Sequence, residues 1–289
     1  MLTPRSRQRA DRGALYRRDT SSVDSPWRDP EHPAPRDGTR DVNAMELQIR
    51  NVSKTYPNAV RALKDVNLTV PGGLCGLLGP SGAGKSTLML ILAMRHEPDG
   101  GSIRLGSVDV RQQQDEVRRA LGYLPQGHAA ALDGIADGVK LLIVDEPGPG
   151  LDPAARARFL NRLRDCAQHS TVLLSTQSVD DVRELCTWMG IISEGRVVLE
   201  GDPRHAIGGR HGRIWTREIA REALPRVQRE YAVISTRFED GRPIVRVYSN
   251  VAPAVGFERD APTLEDVYYS ALSGHIGCRR VQRETSAAS

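Results

Sequence analysis

"LCGLLGPSGAGKSTLMLILAM", residues 74–94, decides the fold. Its first six residues form a short apolar run that suits a buried strand, and its last eight carry apolar residues at helical spacing. Between them, "GPSGAGKST" (79–87) fits the pattern G-x-x-x-x-G-K-[ST] in full. Gly79, Gly82 and Gly84 let the backbone turn so that its N–H groups face one concavity, with Pro80, Ser81 and Ala83 completing the loop. The helix that follows adds its positive N-terminal end. Lys85 is placed to reach β- and γ-phosphates, the Ser86 hydroxyl to ligate Mg²⁺, and Thr87 stands beside them in the first turn. An ordinary glycine turn is the plainer alternative; the strand before the loop and the helix after it disfavour that reading.

"LLIVDEP" (141–147) supplies a second half. A carboxylate at the end of a buried strand is costly unless it meets a cation. Asp145 is therefore expected to hold Mg²⁺, through a water. Glu146 is next along, points elsewhere, and is placed to polarise an attacking water. A helix-capping acidic pair is the alternative, and it is weak beside a phosphate loop. Outward from these stretches the signals are α/β. "LQIRNVSKTY" and "KDVNLTV" alternate like half-buried strands, whereas "LLIVDE" and "TVLLST" (171–176) are unbroken apolar runs of parallel strands covered on both faces. "MGIISEGRVVLEGD" (189–202) reads as a hairpin turning at Glu194-Gly195. After residue 204, "RIWTREIA", "YAVISTRFEDGRPIVRVYS" with Asp240-Gly241 at its turn, and "TLEDVYYSAL" predict a small C-terminal α+β unit over 205–289, its last dozen residues frayed.

The remaining bounds are set by composition. Residues 1–44 are rich in Arg, Asp, Pro and Ser without apolar periodicity, which predicts a disordered extension, with structured sequence starting near Met45, itself a candidate start. No apolar run is long enough to cross a bilayer and no N-terminal h-region is present, so a membrane role would come through a partner. Cys75, Cys166, Cys186 and Cys278 are scattered, which suits reduced thiols rather than a metal or disulfide framework. A formal charge of +4 with 4% aromatic residues gives no footprint for nucleic acid.

With these motifs in place, residues 45–203 resemble the ATP-binding subunit of bacterial ABC transporters. "VSKTYPNAVRALKDVNLTV" resembles the family's opening antiparallel β subdomain, and the resemblance makes Tyr56 the aromatic that stacks on adenine. It makes Gln126 of "LGYLPQ" the residue that senses Mg²⁺ and γ-phosphate. Gly150, Leu151 and Asp152 of "GLDP" become the loop that crosses a dimer interface. "LLSTQSVDDV" is similar to the switch segment, and "TLEDVYYSAL" to a closing helix of exporter-type subunits. The implied fold is a P-loop NTPase core, a mostly parallel sheet with flanking helices, over 45–204. The implied cofactors are ATP and Mg²⁺. The implied partners are separate membrane subunits and a second ATP-binding subunit, in a homodimer or heterodimer at the inner face of the cell membrane, with no nucleic acid.

Two departures stand against that pattern. The family places a helical subdomain carrying an L-S-G-G signature between the glutamine and the Asp-Glu strand. Here Asp145 follows Gln126 by only 19 positions, and no L-S-G-G lies between them. The family's switch histidine is replaced by Gln177, which can donate one hydrogen bond but carries no charge. Hydrolysis is therefore expected to be low or absent. The alternative is a non-hydrolysing regulatory or degenerate nucleotide-binding module; a soluble ATPase acting on nucleic acid is disfavoured by the single cassette. Two parallel strands need a crossover of a dozen or more residues. Residues 127–140 are close to that minimum and predict a strained or destabilised crossover.

Overall fold

The computed structural model describes residues 45–135, 138–147, 150–274 and 279–281. The expected disordered extension, Cys278 and residues 282–289 lie outside that range. Chain order starts with β1 (Leu47–Thr55), β2 (Arg61–Val70) and β3 (Gly73–Leu78). The phosphate loop then opens α1 (Lys85–Leu92), which is followed by β4 (Gly100–Leu105), β5 (Val108–Asp109) and α2 (Gln114–Ala120). A four-stranded sheet of order β2-β1-β4-β5 results, antiparallel throughout.

The second sheet carries the site. Its further members are β6 (Leu121–Leu124), β7 (Leu141–Asp145), β8 (Thr171–Thr176), β9 (Trp188–Ser193), β10 (Arg196–Gly201) and β15 (Arg279–Val281), in the order β15-β10-β9-β3-β8-β7-β6. β6, β7, β8, β3 and β9 run parallel; β9 and β10 form the antiparallel hairpin around Glu194-Gly195. The unbroken apolar runs are explained by the two cores. Leu141 and Ile143 of β7 join one with α1, β1, β2 and β4, while Leu142 and Val144 join the other. That second core contains α4 (Pro153–Ala167) and α5 (Val179–Leu185). Alternation by the pleat therefore meets apolar cover on both faces.

The short crossover is packed against the second core. A 3₁₀ turn (Ala129–Ala131) leads into α3 (Leu132–Ile135). Ala129, Leu132 and Val139 are buried there, with Ile135 beside them. Ile135 approaches β6 so closely that a Cβ on Gly122 would lie 2.8 Å from its Cγ2, so a larger residue there would force Ile135 to shift. The entry into β7 is fixed at two neighbouring residues: Lys140 N–H donates to Ala120 O at 2.7 Å and Ser170 Oγ to Val139 O at 2.6 Å. Arg162 of α4 pairs with Asp133 of α3 at 2.9 Å.

After α6 (Pro203–Gly208), a third sheet of order β12-β13-β11-β14 is built from β11 (Ile214–Glu218), β12 (Val233–Glu239), β13 (Arg242–Tyr248) and β14 (Glu258–Arg259). Trp215, Val245, Val247 and Phe257 form its own core with residues of α7 (Leu224–Glu230). The expected C-terminal unit is amended in two respects. α8 (Leu264–Leu272) buries Leu264, Val267, Tyr268 and Ala271 in the second core of the main sheet rather than only in the small sheet. Within the tail expected to fray, Arg279–Val281 pair in parallel with β10 as β15, and residues 282–289 lie outside the described range.

Candidate functional site

The phosphate loop connects β3 to α1, and its last glycine shows why the pattern is needed. Gly84 is the N-cap of α1 with φ of 103°, and a Cβ there would lie 2.6 Å from Ala62 O of β2. The loop thus turns hard against the antiparallel sheet before the helix starts. Lys85, the first helical residue, folds back over it. Its Nζ donates to Gly79 O at 2.8 Å and Pro80 O at 2.9 Å, and the side chain is 3% exposed.

Asp145 ends β7 and is 5% exposed. Parallel pairing sets it opposite Ser175 of β8, whose hydroxyl donates to Asp145 Oδ1 at 2.6 Å. The Ser86 hydroxyl reaches the same oxygen at 3.4 Å. Burial, reinforced by the nearby Asp145 carboxylate, pushes the Tyr123 phenol above its ordinary range, with Arg95, 5.1 Å above the ring, acting in the opposite sense. Glu146 leaves the strand with φ of 39°, a conformation strained for a non-glycine residue. Its N–H is held by Ser175 O and Oγ. Its carboxylate turns back onto Lys85, Oε1 to Nζ at 2.9 Å, and accepts from Gln177 Nε2 at 3.2 and 3.1 Å.

An open cleft of about 710 Å³ brings most of the expected residues together: Tyr56, Ser81, Gly82, Gly84, Lys85, Ser86, Thr87, Gln126, Glu146 and Gln177 all line it. Gly79, Pro80, Ala83 and Asp145 lie in the surrounding frame. The Tyr56 hydroxyl is within 3.2 Å of Thr87 Oγ1 and 3.4 Å of His96 Nδ1, and the two rings meet edge-on. Gly150, Leu151 and Asp152 are not in the cleft. Gly150 has φ of 92°, Leu151 packs on the second core, and Asp152 caps α4 by accepting from Ala155 N–H at 2.8 Å. The cleft also contains residues the motifs did not announce, Arg61 and Lys64 of β2 and Gly195 of the β9–β10 turn.

The donor set fits Mg²⁺. That ion takes one or two protein oxygens and keeps waters and substrate phosphates for the rest. Ser86 Oγ and Asp145 Oδ1 would hold it, with Gln126 on the same wall. Among the described residues no group of three or more His, Cys, Asp or Glu side chains could hold a metal without such a substrate.

The family model for ABC transporters matches residues 63–193. Nod factor export ATP-binding protein I of Burkholderia pseudomallei (strain K96243) is 32% identical, over 57% of this chain and 74% of its own length. The chain belongs to the ABC transporter ATP-binding family. The Daunorubicin/doxorubicin resistance ATP-binding protein DrrA of Streptomyces peucetius is 30% identical over 54% of the chain and 64% of that protein. A solved ATP-binding subunit of an ABC transporter superposes with a TM-score of 0.48 at 22% identity, covering 57% of this chain and 95% of the other. The B. pseudomallei alignment runs over 226 residues, while 57% of 289 residues is about 165. About 60 positions of that ABC relative therefore have no counterpart within the matched part of this chain.

Ser175 is the functional neighbour that sequence reasoning missed. The only signal was a polar residue in the apolar run "TVLLST", and the pairing of β7 with β8 is what gives it meaning.

Proposed function

We propose that this chain is the ATP-binding subunit of an ABC-type exporter. It binds MgATP in the cleft over the phosphate loop and acts through separate membrane subunits at the cytoplasmic face of the cell membrane. The observation that carries the reading is convergence: residues from the β1–β2 turn and β2, the phosphate loop, and the segments that follow β6, β7 and β8 line one cleft. Tyr56 would receive the base, and Gly79 to Thr87 the phosphates. Ser86 and Asp145 would hold Mg²⁺, and Glu146 would polarise water. The Gly150–Asp152 loop would face a second ATP-binding subunit, in a homodimer or heterodimer. Export is supported by relatives whose names state export or drug resistance. Among the described residues no helix is long and apolar enough to cross a membrane, which suits a chain that works with membrane partners.

A second reading has its own support. The shortened crossover, the absent L-S-G-G and the roughly 60 unmatched positions favour a module that binds nucleotide without turning it over, regulatory or degenerate. Both readings share the nucleotide site, and calorimetry tests it. Lys85→Ala removes a charge-assisted contact to phosphate and should weaken MgATP binding roughly 10- to 150-fold. Unchanged affinity would remove the site assignment from both.

A further inference from the structure

Lys85 has three N–H bonds to give, and the protein itself already engages the ammonium. Two hydrogen bonds go to the carbonyls of Gly79 and Pro80, at 2.8 and 2.9 Å, and the charge is ion-paired with Glu146 Oε1 at 2.9 Å. At 3% exposure the lysine has little water to draw on. Glu146 lines the cleft and is held at backbone and side chain. Its N–H is bound to Ser175, its backbone sits at φ of 39°, and Gln177 Nε2 donates to both carboxylate oxygens. A nucleotide phosphate that is to reach Lys85 competes with these three acceptors. The two carbonyls belong to the loop that shapes the site. Glu146 is the acceptor on a movable side chain, and its charge would repel the arriving phosphate.

We infer that Glu146 and Gln177 form a latch over the phosphate-loop lysine. In the nucleotide-free protein the Glu146 carboxylate stands in for a phosphate on Lys85, and Gln177 is the positioning residue that keeps it there. Nucleotide binds as the latch opens, and the same movement frees the carboxylate to face water. This inference rests on the nucleotide-site reading and deepens it. It separates Gln177 from a γ-phosphate ligand: a latch opposes diphosphate and triphosphate alike, whereas a γ-phosphate contact concerns the triphosphate alone.

The test is calorimetry of the full chain with MgADP and with a non-hydrolysable Mg-ATP analogue. Replacing the charged acceptor on Lys85 by a neutral one in Glu146→Gln should tighten both ligands about tenfold. Gln177→Ala should tighten both by about threefold, and should add nothing in the Glu146→Gln background, because it acts through Glu146. Glu146→Asp, whose shorter side chain draws the carboxylate away from Lys85, should also tighten both and serves if Glu146→Gln does not fold. Unchanged or weaker binding of both ligands by the Glu146 variants would overturn the latch. So would a Gln177→Ala effect confined to the ATP analogue, which would make Gln177 a γ-phosphate contact. The underlying site reading fails in a different way, by full-strength binding to Lys85→Ala.

Discussion

Ser175 is completely buried, and its one hydroxyl serves two neighbours, donating to Asp145 Oδ1 and accepting the Glu146 N–H. It therefore orients both acidic residues of the site while touching no solvent. In Ser175→Ala the Asp145 carboxylate keeps only the long contact from Ser86. Leaving a buried acceptor short of a donor costs about 1–3 kcal/mol. The variant should unfold at lower temperature by calorimetric scan, and the gain in nucleotide affinity on adding Mg²⁺ should shrink because Asp145 is no longer aimed. An unchanged Mg²⁺ increment would show that Asp145 does not depend on Ser175. At this scale the sequence was informative where residue type and chain neighbours coincide. Lys85, Ser86, Asp145 and Glu146 announce themselves within single motifs. Ser175 does not, since it meets Asp145 only through strand register, 30 positions away. Glu146 was legible as a site residue; its pairing with Lys85, 61 positions before it, was not.

Elements show the same division. Strand and helix periodicity marked β1, β3, α1, β7, β8 and the β9–β10 hairpin, because each is a contiguous run with its own pattern. α8 was equally visible as an element, and its Thr263 and Asp266 do form a reciprocal capping box. Where α8 packs was not visible, because the link is made by Arg246, a β13 residue. Arg246 donates to both Asp266 oxygens at 2.8 Å and also pairs with Asp260. Hydrogen bonds to the Asp266 carboxylate, with its attraction, hold the Arg246 guanidinium above its ordinary range despite burial. Asp266 is 1% exposed, so this is a buried ion pair that ties the small sheet to a helix seated in the main core. Removing one partner leaves the other charge in a poorly solvated place and costs about 3–5 kcal/mol, with Asp260 bringing Arg246 toward the lower figure. Asp266→Ala also loses the side-chain half of the capping box, the bond from Thr263 N–H, while the Thr263 hydroxyl keeps its own. It should lower the urea midpoint clearly, whereas Arg242→Ala, which breaks the exposed pair with Glu218, should stay within about 1 kcal/mol of the parent. Equal effects of the two variants would contradict this account of how the C-terminal sheet is attached.

For the whole molecule the deciding feature is the connection between β6 and β7. The sequence shows that it is short; the structure shows that a short connection is sufficient for the sheet, with Leu132 and Val139 buried and Gly122 making room for Ile135. Folding and turnover then make different demands. Lys85 and Glu146 are present, so on the proposed reading one chain carries a phosphate lysine and a carboxylate base. In the ABC pattern the opposite wall of each ATP comes from the second subunit's L-S-G-G helix end, and residues 127–140 contain no such sequence. Two copies of this chain would leave both nucleotides open to water on that side. Loss of one preorganised donor to developing charge costs roughly 10²–10³ in rate. Gln177 adds to the deficit, since it cannot take the charge of a histidine in that place. Pairing with an intact subunit would complete only the site that faces the partner's signature. The pure chain should therefore bind MgATP yet show steady-state hydrolysis no faster than its own Glu146→Gln variant. Turnover on the order of 1 s⁻¹ or more, the lower end of ordinary enzyme rates, that disappears in that variant would defeat the expectation. It would mean that the 127–140 connection, or another part of the second subunit, closes the nucleotide site by a donor set unlike L-S-G-G.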